Sequence, residues 1–86
     1  MNKYQDIPFD IERAKRISDG IERGQIITSQ GEKVRIICWD RKGPNPIVAL
    51  SDYSSDYEHL GTYTPKGTYF ENETFPFPYL MLRVPI

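Results

Sequence analysis

The chain has very little of what compact reaction centres are usually built from. It carries one cysteine, Cys38, and one histidine, His59, among 86 residues. A lone cysteine excludes an intramolecular disulfide, and one Cys with one His falls short of the four nitrogen and sulfur ligands that hold a structural zinc ion. No Walker loop, dinucleotide fingerprint, nucleophile elbow or zincin helix occurs, so nothing in the sequence argues for an enzyme, and no cofactor or metal is implied. Long apolar runs are missing too. None approaches the roughly 18 residues a membrane span requires, so no membrane association is expected. The opening Met1-Asn2-Lys3-Tyr4-Gln5-Asp6 lacks the apolar stretch of a secretory signal, and the cytoplasm is the expected compartment.

A strong charge of either sign is also absent. Net charge is −1, with nine Lys/Arg against seven Asp/Glu in residues 1 to 50 and two against five in residues 51 to 86. Neither half is charged enough to dictate a partner. Nucleic-acid modules generally show a basic face or a high pI, whereas the pI here is near 5.7.

What is present suits a small globular protein: 38% apolar, 13% aromatic and 27% charged residues. The length fits one domain over residues 1–86, burying roughly 60% of its unfolded surface. Residues 1–9 read as a lead-in. Asp10 is a good helix N-cap, and Ile11, Ala14, Ile17 and Ile21 recur at intervals of three and four, so a helix is expected over Ile11 to Asp19 with Gly20 closing it. Glu12 and Arg16 stand at i, i+4 in the favourable order. The stripe is short and needs a sheet to dock on.

The stretch from Gln25 to Leu50 reads as strand, tight turn, strand, loop, strand. Gln25-Ile26-Ile27-Thr28 runs through Ser29-Gln30-Gly31-Glu32 into Lys33-Val34-Arg35-Ile36-Ile37-Cys38-Trp39, the composition of a hairpin. Alternation puts Val34, Ile36 and Cys38 on one face and Ile37 with Trp39 on the other, which predicts a central strand covered on both sides. After the loop Asp40-Arg41-Lys42-Gly43-Pro44-Asn45-Pro46, Ile47 to Leu50 forms the third strand. Glu58 to Thr64 and Thr68 to Phe70 flank a Pro65-Lys66-Gly67 turn and are expected to pair. Residues 71–78 read as a loop with two aromatic-proline steps, Phe75-Pro76 and Phe77-Pro78. Tyr79 to Val84 closes the chain as a strand with Leu80, Leu82 and Val84 inward. The fold class is α+β, one N-terminal helix packed on an antiparallel meander of about five strands, and the pattern leaves open whether the sheet curls into a small barrel.

Chemistry is sparse. Cys38 reads as a small buried hydrophobe, and a Cys38–His59 nucleophile-base pair would lack an orienting third group. Asp52, Asp56 and Glu58, with Glu71 and Glu73 further on, read as a solvated acidic loop, without the alternation and central glycine of a calcium loop. Arg13, Lys15 and Arg16 form a helix face that either pairs with neighbouring carboxylates or contacts phosphates. The loop beginning at Trp39 has two readings of equal standing: a rigid basic recognition element, or a Trp packed under a plain turn. Tyr53, Tyr57, Tyr63 and Tyr69, with Phe75 and Phe77, exceed what so small a core holds comfortably, so some are expected at the surface. The provisional binding set is Trp39, Arg41, Lys42, Tyr53 and Tyr57. It points first to a non-catalytic protein-interaction module with a protein partner. The alternative is a nucleic-acid binder using the basic helix face and the Arg41/Lys42 loop.

Several segments together resemble a family. Ile7-Pro8-Phe9-Asp10, Ala14-Lys15, Gly24-Gln25-Ile26-Ile27-Thr28, Val34-Arg35-Ile36-Ile37-Cys38-Trp39-Asp40, Pro46-Ile47-Val48-Ala49-Leu50 and Tyr63-Thr64-Pro65-Lys66-Gly67-Thr68-Tyr69-Phe70 are similar to small uncharacterised proteins of gut Bacteroidetes genomes and their phages or mobile elements. The likeness covers roughly residues 5 to 70, and the tail from Glu71 matches less well. It implies an accessory role in a phage or mobile element. No activity comes with it, so no catalytic or binding residue is carried over.

Overall fold

The computed structural model describes residues 3–52, 55–68 and 79–86. In chain order the elements are β1 (Tyr4–Pro8), α1 (Ile11–Ser18), β2 (Gln25–Thr28), β3 (Val34–Cys38), β4 (Ile47–Asp52), β5 (Glu58–Tyr63) and β6 (Leu80–Pro85). They form two three-stranded antiparallel sheets, β1-β6-β2 and β3-β4-β5, rather than one meander or a closed barrel.

The helix begins where its cap was expected. Asp10 Oδ1 accepts from the amides of Glu12 and Arg13 at 3.0 and 3.2 Å, satisfying two of the free donors of the first turn. Its centre of packing is Ala14, which is fully buried, with Ile11 and Ile17 only partly buried beside it. Ile21, read as the end of the stripe, is instead exposed, because the helix has already ended at Ser18. The i, i+4 partner of Arg16 is also replaced. Arg16 Nε reaches Glu22 at 3.2 Å and Arg13 reaches the same carboxylate at 2.7 Å.

Two turns are built alike. Thr28 N donates to Glu32 O at 2.9 Å and Gly31 N to Thr28 O at 2.9 Å; Thr64 N donates to Thr68 O at 2.7 Å and Gly67 N to Thr64 O at 2.8 Å. In each, the threonine hydroxyl accepts from two following amides, and the glycine takes a φ of 85° that a side chain would resist. The turn at 29–31 was legible; the hairpin it was expected to close was not. Among the described residues the two arms are joined beyond the turn by an isolated bridge, Ile27 to Lys33, before β2 goes to one sheet and β3 to the other. For the second turn, the expected return strand runs into residues 69–78, which lie outside those described.

β1 corrects the lead-in. Tyr4–Pro8 pairs with β6 from Tyr4–Pro85 to Pro8–Met81, while β6 pairs on its other side with β2. The last strand is therefore the middle of its sheet. Leu80, Leu82 and Val84 point inward as expected and are all buried.

β3 is an edge strand and not the central one. Ile36 pairs with Ala49 but Cys38 with Val48, so one extra residue is inserted at Ile37. Such a bulge reverses the alternation beyond it. Cys38 leaves the face of Val34 and Ile36 for the outer face of Val48, where it is half-buried, and Trp39 turns inward to pack against the core. One hydrophobic cluster then joins both sheets and the helix: Ala14, Ile26, Val34, Ile47, Ala49, Tyr63, Leu80, Leu82 and Val84.

Candidate functional site

The bulge decides what becomes of the Trp39 loop. With its ring against the core, Trp39 is half-buried, and Lys15 Nζ of the helix stands 5.8 Å from the ring centroid, within reach of a cation–π attraction. The loop beyond is tied down. Arg41 N donates to Pro46 O at 3.0 Å and its Nη1 to Asn45 O at 3.3 Å, while Asn45 Nδ2 donates to the Thr62 carbonyl and hydroxyl of β5, both at 3.3 Å. Cys38 Sγ donates to Asp40 Oδ1 at 3.2 Å. Trp39 is thus a packed residue, and the exposed part of the loop runs from Asp40 to Pro44, with Arg41 and Lys42 as its cations.

The expected site does not come together. Tyr57 is 70% exposed but precedes β5 at the Asp52–Glu58 end of the sheet, whereas Arg41 and Lys42 lie at the Ile47 end. The six residues of β4 separate them by about 17 Å. Tyr53 lies outside the described residues, as do Tyr69, Phe75, Phe77, Glu71 and Glu73. Tyr63, counted among the surplus aromatics, belongs to the core.

Cys38 and His59 are no pair either. In the strand register Cys38 stands opposite Val48 on the outer face, and His59 opposite Ser51 on the inner face, three residues further along β4. Among the described residues no three His, Cys, Asp or Glu side chains converge as metal ligands would. Among the described residues no helix is long and apolar enough to cross a membrane.

The register instead reveals a surface that the sequence reading did not single out. On the outer face of β3-β4-β5, Arg35, Leu50 and Leu60 form one row across the strands, and Cys38, Val48 and Thr62 form the next. Ile37, displaced by the bulge, is 55% exposed and Leu60 is 63% exposed, with Val48 and Leu50 half-covered between them. The result is a connected apolar strip on the outside of a sheet. A signal for it existed in Ile47-Val48-Ala49-Leu50, whose unbroken apolar run asks for cover on both faces.

The two ends of the strip differ in charge. Asp52, Asp56 and Glu58 gather at one end, where Arg35 binds Glu58 through both oxygens at 3.0 and 2.7 Å. That hydrogen-bonded contact raises the Arg35 pKa further above its ordinary value, so the guanidinium stays charged. Arg41 and Lys42 mark the opposite end. The helix face meanwhile offers little free charge, since Arg13 and Arg16 both hold Glu22, whose carboxyl is lowered chiefly by the hydrogen bond from Arg13.

Comparison of the chain with protein-family models, curated proteins and solved structures returned no match.

Proposed function

We propose that the chain is a non-catalytic protein-interaction module whose contact surface is the outer face of β3-β4-β5, occupied by a second copy of the chain. The observation that carries this reading is the strip of Ile37, Val48, Leu50 and Leu60, left open to solvent between an acidic and a basic end. Two such sheets related by a two-fold axis lay apolar strip on apolar strip, and each acidic end faces the other copy's Arg41 and Lys42. An unrelated partner needs a matching charge order of its own; a second copy has it already. The role agrees with the accessory function that the family resemblance implies.

The face, strip and charged ends together, is about 10 Å across three strands and about 17 Å along them. Such a contact falls below the roughly 800 Å² per partner of a stable interface, so the dimer is weak, with Kd of about 10 to 100 μM. The nucleic-acid alternative through the helix face has less behind it, because two of its three cations are engaged by Glu22.

Sedimentation equilibrium over a concentration series tests the proposal. Wild type is expected to dimerise reversibly, Leu60→Glu to stay monomeric, and Arg41→Glu/Lys42→Glu to weaken association about tenfold. A wild-type protein that remains monomeric at about 500 μM, well above that range, overturns it.

A further inference from the structure

The other sheet carries a basic groove that no motif announced. It occupies the outer face of β1-β6-β2, has a volume of about 760 Å³, and is lined by residues including Lys3, Tyr4, Arg23, Gln25, Lys33 and Arg83. The register explains their convergence. Tyr4 pairs with Pro85 and Gln25 with Arg83, all on the face opposite Leu82 and Val84, while the bridge from Ile27 brings Lys33 to the side of β2 away from β6. Lys3 accepts at its carbonyl from Ile86 N at 3.1 Å, which holds its backbone at the end of β1. Four cationic side chains from four separate segments therefore surround one depression.

Of the four, only Arg83 is paired locally among the described residues. Asp6 is already held by Arg83, through contacts of 2.8 and 3.1 Å. Among the described residues, Lys3, Arg23 and Lys33 have no carboxylate partner. Beside them stands the exposed ring of Tyr4. The volume lies within the roughly 300 to 1,000 Å³ of small-molecule sites, several times what a single phosphate fills.

We infer that this groove binds a nucleotide unit, with its phosphates against Lys3, Arg23 and Lys33 and its base against Tyr4. Long-stemmed lysines and an arginine around an open groove suit a flexible polyphosphate or phosphodiester, whose charge they neutralise at several points. An aromatic ring at the margin offers a stacking face that accepts any base. The same chemistry is supplied by a free nucleoside triphosphate or by one residue of a single strand, and the groove's open side admits both. This site is independent of the apolar strip, which lies on the other sheet.

The test titrates the folded protein at low salt with a fluorescent ATP analogue, a labelled octathymidylate and pyrophosphate, with circular dichroism confirming the fold of each variant. The expected result is saturable binding of the ATP analogue or the oligonucleotide that weakens at least tenfold in Arg23→Glu/Lys33→Glu. Tyr4→Ala is expected to weaken it about fivefold, and Leu60→Glu and Arg41→Glu/Lys42→Glu to leave it unchanged. Preference between the two probes separates a free nucleotide from a strand. The inference is overturned if neither binds, which leaves the cations as solvated strand-edge charges. It is overturned equally if pyrophosphate binds as tightly and Tyr4→Ala has no effect, or if the Arg41→Glu/Lys42→Glu protein loses as much affinity as the groove variant.

Discussion

Leu82→Ala is the substitution whose cost follows most directly from the architecture. Leu82 is 0% exposed and lies in the middle strand of its sheet, between Ile7 of β1 and Ile26 of β2. The change removes three carbons, worth about 2.4 kcal/mol at about 0.8 kcal/mol each, and the cavity they leave adds to that. A total of about 2.5 to 4 kcal/mol is expected. At about 0.05 to 0.15 kcal/mol per residue the whole domain has only about 4 to 13 kcal/mol, so the variant is close to losing its fold. Leu60→Ala makes the same chemical change on the outer face of the other sheet, where the side chain is 63% exposed. Scaling the transfer value by the buried third leaves under about 0.9 kcal/mol. Urea denaturation of both variants at concentrations where the protein is monomeric, with the slope checked for constancy, reads the two costs directly. Equal costs, or a Leu82→Ala effect below about 1 kcal/mol, would refute the shared core and the central place of β6.

Two further outcomes follow from the turns and the ion pairs. At Gly67 φ is 85° and a Cβ would fall 2.8 Å from Phe9 Cγ, so Gly67→Ala combines strain with a collision and should lower the urea midpoint, whereas Lys66→Ala beside it should not. The carboxyl of Asp6 is lowered first by its hydrogen bond to Arg83, and that of Glu22 first by its hydrogen bond to Arg13. A folded pKa below the unfolded one gives stability that is present above the ordinary carboxylate range and is lost as pH falls through the depressed values. Stability should therefore decline below about pH 4.5, and Asp6→Asn/Glu22→Gln should flatten that decline while lowering stability at pH 7, as measured by denaturation across a pH series.

Local signals in the sequence were legible where the structure is local. The Asp10 cap, the helix start and the glycine turns at 31 and 67 rest on contacts within a few residues, and the inward alternation of Leu80, Leu82 and Val84 is written in the period-two pattern of a single strand. Partner choice was not, because β6 inserts between β1 and β2 from more than fifty residues away. Tyr4-Gln5-Asp6-Ile7-Pro8 carries no apolar alternation, so its strand exists only through that pairing. The bulge at Ile37 has no composition signal, yet it moves Cys38 and Trp39 to opposite faces from those expected. Trp39 enters the provisional site as an aromatic leading into a basic loop, and the bulge instead packs it against the core and exposes Ile37. Lys3, Arg23 and Lys33 are spread along thirty residues and acquire a common environment only when two sheet edges and a turn meet.

The proposed self-association through the second sheet is tested most directly by amide chemical shifts recorded over a dilution series of the wild-type protein. The account predicts concentration-dependent shifts at Ile37, Val48, Leu50 and Leu60, with smaller ones at Arg41, Lys42 and Asp52, and their disappearance in Leu60→Glu. Shifts that do not change with concentration, or that map to β1, β6 and β2, would contradict it.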